Sequence, residues 1–183
     1  IKPIPGNGWE SKQTFNPAAI YEGGKVHLLY RAVGEADVSV IGYAASYNGI
    51  HFHERHGQPI YTTGEPVHGG NDSRKIFKPV SYYISGGGGY GGSEDPRLTK
   101  LEGRIYMTYA AFNGYEQARS AFTSISEKDF LELEWNWSAP VLMTAKPTVW
   151  GTGSKTSCFM PEKINGKYAI MHRFWPNILI DYV

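Results

Sequence analysis

Pro96-Arg-Leu-Thr-Lys-Leu-Glu-Gly103-Arg104-Ile-Tyr-Met-Thr-Tyr109 is the stretch that decides how this chain folds. A proline leads a strand-like run, a glycine and a cation make a turn, and an apolar run ends in an aromatic residue. The phrase stands twice more. It appears as Pro17-Ala-Ala-Ile-Tyr-Glu-Gly-Gly24-Lys25-Val-His-Leu-Leu-Tyr30 and, two residues shorter before the turn, as Pro161-Glu-Lys-Ile-Asn-Gly166-Lys167-Tyr-Ala-Ile-Met-His172. Self-similarity at a long period marks a stacked or radial repeat.

Each copy opens what reads as a small antiparallel sheet. After Tyr30 comes Ser39-Val-Ile-Gly-Tyr-Ala-Ala-Ser46, then an Asn48-Gly49 turn, a strong hairpin signal. Residues 51–54 read as a short outer strand. In the second unit, 104–111 and 118–126 are strands and 131–135 is the expected outer strand. The third unit begins at Pro161, and 177–183 fills its third-strand position. No segment keeps a 3.6-residue apolar period, so little helix is expected. The pattern predicts an all-β chain, one β-propeller domain over 1–183 holding about three blades. Two full units and part of a third do not close a ring, so the chain reads as cut short at its C-terminus. Residues 64–93, with Gly86-Gly-Gly-Gly-Tyr-Gly-Gly92, read as a Gly-rich loop inserted between units.

Composition narrows the function classes. Eighteen Lys and Arg against 17 Asp and Glu leave a net charge of +1, which argues against nucleic acid or an anionic membrane as partner. No apolar run approaches the ~20 residues of a membrane span. The single Cys158 forms no internal disulfide and fits a reducing compartment, so a cytoplasmic location is expected. Gly86-x-Gly88-x-x-Gly91 matches a dinucleotide pattern in letters only, because no helix pattern follows. Gly153-Ser-Lys155-Thr lacks the Gly-Lys pair of a phosphate loop. His51, His53 and His56 have no acidic or cysteine companion, so no metal is expected.

The repeat itself singles out one acid. Asn16, Asp95 and Met160 precede the three prolines, and only Asp95 carries a carboxylate. In a propeller this place lies at the mouth of the central channel. A carboxylate there, with Arg97 two residues on, suits a general acid or a sugar clamp. Read from spacing alone, an Asp-Pro turn with an arginine salt bridge is the more ordinary use.

Glu94-Asp-Pro-Arg97, followed by the strand pair 98–101 and 104–111, resembles the signature of glycoside hydrolase family 130, the mannoside phosphorylases and related mannosidases. Phe15-Asn-Pro-Ala18 with Leu28-Leu-Tyr-Arg31, Ile41-Gly-Tyr-Ala-Ala-Ser46, and Phe159-Met-Pro-Glu-Lys163 with Ile164-Asn-Gly-Lys-Tyr-Ala-Ile-Met-His-Arg173 carry the same resemblance. It covers most of the chain except 64–92. The family fold is a five-bladed propeller, of which the chain resembles the first half or slightly more.

The resemblance implies a glycosyltransferase-type phosphorylase that cleaves a β-mannoside with inorganic phosphate and yields α-mannose 1-phosphate with inversion. Asp95 supplies the proton, through the 3-hydroxyl of the bound mannose. Phosphate is a co-substrate and no cofactor is needed. Positions carried over for phosphate are Arg119, Lys163, His172 and Arg173; those for mannose are Arg31, Ser39 and Arg97. Asp37-Val38 stands where the family often shows an Asn beside the position of Ser39. The 64–93 insertion, with Asn71, Asp72 and Tyr90, reads as an acceptor-selecting lid, an oligomer contact or an unordered loop. Homo-oligomerisation is left open. Two other readings stand beside this one. A β-mannosidase on the same scaffold would need a second carboxylate to activate water. A non-catalytic carbohydrate-binding propeller would stack sugars on Tyr109, Phe112, Trp150 or Trp175, although core packing is the commoner use of such residues.

Overall fold

The computed structural model describes residues 1–62, 91–112, 118–143, 155–174 and 176–183. The expectations for Asn71, Asp72, Tyr90, Trp150 and Trp175, and for nearly all of 64–93, lie outside the described residues.

All three copies of the phrase fold around the same turn. β1 (Gln13–Glu22) pairs antiparallel with β2 (Lys25–Val33), and Glu22 faces Lys25 across a loop of Gly23 (φ +55) and Gly24 (φ +80). β3 (Ser39–Ser46) and the short β4 (Glu54–Arg55) complete the first unit. β5 (Gly92–Leu101) and β6 (Arg104–Phe112) repeat the hairpin, with Glu102 (φ +51) and Gly103 (φ +72) at its tip. In the third copy Ile164 bridges Lys167 across Asn165 (φ +52) and Gly166 (φ +77). Two consecutive left-handed residues define the turn whose twist matches paired strands, which is why glycine recurs there. The outer strand of the first unit lies at Glu54–Arg55, so it starts later than expected.

The second unit continues with β7 (Arg119–Ser126). The outer strand expected at 131–135 is replaced by a helix, α1 (Glu127–Leu131), and the outer pairing moves to β8 (Val141–Leu142). The cause is local. Ser126 Oγ accepts the Asp129 N–H at 3.0 Å, with Glu127 and Asp129 in the first turn, a capping arrangement that starts a helix. The helix then buries Phe130 completely. β9 (Ser157–Phe159), β10 (Ala169–Phe174) and β11 (Asn177–Tyr182) form a separate antiparallel sheet in the order β11-β10-β9.

The first two units touch along a single parallel pairing, Ser39 with Gly92, which formally joins them into one sheet. Their main contact is face to face. Leu29, Ile41 and Tyr43 from the first unit meet Ile105, Met107, Tyr109 and Ile125 from the second in one buried cluster. Alternation at period two selects these residues, since 105, 107 and 109 share a face of β6. The opposite face turns to the third sheet, where Tyr106 lies 5.1 Å from Phe159 between ring centroids. This stacking of small antiparallel sheets is the all-β arrangement the repeat predicted. Among the described residues no helix is long and apolar enough to cross a membrane.

His27 sits at this interface, 3% exposed. Its Nδ1 lies 2.8 Å from the Tyr43 hydroxyl and its Nε2 3.0 Å from the Glu22 carbonyl. A neutral ring serves both partners, accepting at Nδ1 and donating from Nε2. Burial pushes its pKa below the ordinary histidine value. The unfolded chain therefore binds more protons as pH falls below about 6.5, and stability declines with it. We expect the urea midpoint to drop between pH 7.5 and pH 5.5, and the drop to shrink in His27→Gln. An unchanged drop would show that the acid sensitivity arises elsewhere.

Candidate active site

Both full units kink at the residue before the proline. The β1–β2 register shifts between Phe15 and Ala18, and the β5–β6 register between Glu94 and Arg97. Asn16 (φ +47) and Asp95 (φ +53) sit left-handed at these bulges. Asn and Asp are the non-glycine residues that tolerate this conformation best. The two matching bulges bring repeat-equivalent residues together: Asn16 Nδ2 donates to Asp95 Oδ1 at 2.8 Å.

Arg31 organises the rest. Its side chain is fully buried. It donates from Nε to Ser39 Oγ at 2.9 Å, from Nη1 to Asp95 Oδ1 at 3.2 Å and from Nη2 to Glu94 Oε1 at 2.8 Å. The guanidinium carbon lies 4.7 Å from the centre of the Phe15 ring. A rigid planar fork suits this divergent set of partners, and a lysine ammonium does not. Ser39 is brought into place by Gly92, where φ is +105° and an added Cβ would meet the Ser39 carbonyl oxygen at 2.0 Å. Only glycine allows that approach. Arg31 and Ser39 are both buried; in this arrangement Arg31 holds the two carboxylates and Ser39 holds Arg31.

Glu94 is also fully buried, with Oε2 2.9 Å from the Lys155 ammonium. Lys155 and Glu94 thus form an ion pair. Burial pushes the Glu94 carboxyl up from its ordinary pKa, and Arg31 and Lys155 pull the other way. Asp95 retains 15% side-chain exposure, so it is the less buried of the two neighbouring acids. Lys155 was missed in the sequence. It lies two residues before β9, outside the copies of the repeated phrase.

The remaining candidates divide by position. Arg119 opens β7 and pairs with Ala111, which pairs with Ser93. It therefore stands level with the Asp95 motif, two strands out, roughly 10 Å along the ladder. Arg97 is half-buried, donates to the Pro96 carbonyl at 2.9 Å, and its charge opposes the burial that raises the Cys158 thiol pKa. Arg173 is exposed on β10. His172 is 4% exposed, with Nδ1 2.9 Å from Ser157 Oγ and Nε2 3.3 Å from Asp181 Oδ2.

Lys163 is not brought to this group. It pairs with Glu102 at 2.7 Å and lies 4.4 Å from the Tyr168 ring centre, beside the β5–β6 turn. That turn is the far end of β5 from Asp95, roughly 20 Å of extended chain away. Tyr109 and Phe112 are core residues, 3% and 4% exposed, and offer no sugar platform. Among the described residues no three or more His, Cys, Asp or Glu converge. His51 stacks on His53 at 5.9 Å, whereas His56 packs against Trp135.

The chain belongs to glycoside hydrolase family 130: the family model described as beta-1,4-mannooligosaccharide phosphorylase matches residues 5–181. It is 31% identical to a beta-1,2-mannobiose phosphorylase of Thermoanaerobacter sp. (strain X514), over 98% of this chain and 53% of that protein. It is 30% identical to a 1,2-beta-oligomannan phosphorylase of the same strain, over 100% of this chain and 53% of that protein. Among solved structures it resembles one from work on glycoside hydrolases of this family that target beta-1,2 mannosidic linkages in Candida mannan. That match has a TM-score of 0.64 at 27% identity and covers 94% of this chain and 50% of the other. The chain thus spans about half the length of the relatives it matches.

Proposed function

We propose that this chain carries the proton-donor side of an inverting β-mannoside phosphorylase of the glycosyltransferase type. Asp95 protonates the glycosidic oxygen by way of a mannose hydroxyl. Inorganic phosphate attacks the anomeric carbon from the opposite face, giving α-mannose 1-phosphate and a shortened sugar. The observation that carries this reading is the contrast between Asp95 and Glu94. Asp95 is held rigidly yet reachable, while the acid beside it is sealed between two cations. A hydrolase needs a second carboxylate open to water, and Glu94 does not meet that need. Phosphate arrives as a nucleophile and needs cations instead. Arg31 and Lys155 are balanced charge for charge by Glu94 and Asp95. Arg119, level with the Asp95 motif, and Arg97 and Arg173 are the cations proposed for phosphate and the sugar rim. The ring closure and five blades of the family fold, and a cytoplasmic setting, belong to the same proposal.

The names of the relatives make a β-1,2-linked mannoside the first substrate to try, with the β-1,4-linked isomer as comparison. Incubation with β-1,2-mannobiose should release α-mannose 1-phosphate only when inorganic phosphate is present. Release of free mannose at the same rate without phosphate would replace the phosphorylase by the mannosidase.

A further inference from the structure

We infer that residues 1–12 are a strap that positions the rim of the candidate site: Glu10 anchors the strap to the first unit, and Gly8 and Lys12 hold the loop between β2 and β3. That the rim meets a sugar rests on the phosphorylase reading. The loop, residues 34–38, opens at the end of the sheet where the Asp95 bulge lies. Val33 and Ser39 form the last pair of the β2–β3 ladder before it, and Ser39 pairs with Gly92. The Ser39 hydroxyl receives the same Arg31 guanidinium that holds Asp95.

The anchor is a buried carboxylate. Glu10 is 1% exposed. Its Oε2 accepts the Tyr30 hydroxyl at 2.9 Å and pairs with Arg55 Nη2, and its Oε1 accepts from Asn7 Nδ2 at 2.9 Å. Arg55 also donates to the Tyr30 hydroxyl and to the Lys2 carbonyl, each at 2.9 Å. Trp9 stacks on Tyr30 with 6.4 Å between ring centres and donates from Nε1 to the Gly57 carbonyl at 3.2 Å. Tyr30 and Arg31 are neighbours on β2 and point to opposite faces, so this cluster lies behind the site and outside it. A carboxylate is buried at tolerable cost only with such partners, and here the partners come from both the strap and the first unit.

From that anchor the strap reaches the loop through its backbone. The Gly8 carbonyl accepts the Glu35 N–H at 2.8 Å, and the Lys12 N–H donates to the Val33 carbonyl at 3.0 Å. Gly34 lies so close that an added Cβ would meet the Gly8 carbonyl oxygen at 1.9 Å. Asp37, left-handed at φ +54, donates its N–H to the Gly34 carbonyl at 3.1 Å, and its carboxylate pairs with Lys12 at 2.7 Å. That ion pair is partly exposed and adds little energy; it orients Asp37 while the backbone contacts hold the loop. Ser39 is fixed separately, because its N–H donates to the Gly91 carbonyl at 2.8 Å. Loosening the strap therefore frees the rim and leaves the contacts between Arg31 and Asp95 standing.

The first test is amide hydrogen exchange by NMR on the full chain, as wild type, Glu10→Ala, Glu10→Gln and Gly34→Ala. Gly34→Ala pushes strap and loop apart without touching the buried anchor, so it decides the matter if Glu10→Ala fails to fold. The Glu35 and Asp37 amides should exchange faster in Glu10→Ala and Gly34→Ala, while the amides of β10 stay protected. Glu10→Gln keeps an acceptor for Tyr30 and Arg55 and should recover part of the protection. Gly8→Ala adds a methyl that meets nothing within 4 Å, and should leave the Glu35 and Asp37 amides as they are. Unchanged exchange at Glu35 and Asp37 in folded Gly34→Ala would overturn the inference.

The second test is steady-state phosphorolysis of β-1,2-mannobiose by the same proteins. Gly34→Ala and Glu10→Ala should raise KM about five- to tenfold, the loss expected for one hydrogen bond to the sugar, with kcat unchanged. Glu10→Gln should bring KM part of the way back. A fall in kcat at constant KM would place the strap's effect on the acid rather than on the rim and end the inference, as would KM and kcat both unchanged in a variant whose loop amides exchange faster. A wild type that forms no α-mannose 1-phosphate with phosphate present would count against the phosphorylase reading, and the hold of the strap on the loop is then decided by the exchange data.

Discussion

Asp95→Asn lowers phosphorolysis of the β-mannoside by about 10²–10⁴-fold, the range for loss of a positioned general acid. The substitution keeps the side chain's size and its Oδ1 acceptor, so the contacts from Asn16 at 2.8 Å and Arg31 at 3.2 Å persist. The left-handed backbone at this position also suits asparagine. Loss of turnover should therefore come with little change in thermal midpoint or in sugar affinity. The measurements are initial rates of α-mannose 1-phosphate formation, mannoside binding and a thermal melt of the same sample. Unchanged turnover would remove Asp95 from the mechanism. Unchanged sugar binding with no turnover in either protein would favour a binding module.

Arg31→Met has the largest expected effect on stability. The guanidinium is fully buried and faces two carboxylates, one fully buried and one mostly so. Removing it leaves that charge without its partner, a situation that costs about 3–5 kcal/mol. Arg31→Lys should recover only part, because an ammonium cannot reach Ser39, Asp95 and Glu94 in the geometry of the fork.

The pH dependence provides an internal check. Burial already raises the Glu94 pKa, and loss of Arg31 raises it further. A carboxyl whose folded pKa is raised is most favourable to folding below its unfolded pKa, and that advantage is lost as pH rises through the folded value. The deficit of Arg31→Met should accordingly shrink as pH is lowered from neutrality through the Glu94 titration. Adding Glu94→Gln to Arg31→Met should restore part of the stability at pH 7, whereas Glu94→Gln alone should not stabilise. Urea unfolding of the four proteins gives the cycle. A purely additive cycle would show that the two groups are not energetically coupled.

The features legible in the sequence were short-range ones. Two-residue turns at Gly23-Gly24, Glu102-Gly103 and Asn165-Gly166 follow from local backbone preferences that three or four letters encode. The alternating strands around them follow from burial at period two. Asp95 stood out because, of the three residues before the repeated prolines, Asn16, Asp95 and Met160, it alone is an acid. The helix at Glu127–Leu131 was also written locally, in Ser126 and Asp129, and was passed over in favour of the repeat's expected outer strand.

What the chain's letters determined by themselves was therefore the hairpin, its repetition and the acid that breaks the repeat's uniformity. Only the tertiary structure decided which charges meet. Arg31 and Glu94 are 63 residues apart, and Lys155 reaches Glu94 from a third sheet, contacts created by stacking whole units. The same stacking sent Lys163 to the opposite end of β5 and enclosed His172 between Ser157 and Asp181. Turn preferences act over a few bonds and survive in any context. Electrostatic and packing partners depend on which faces are buried together, and no local pattern carries that information.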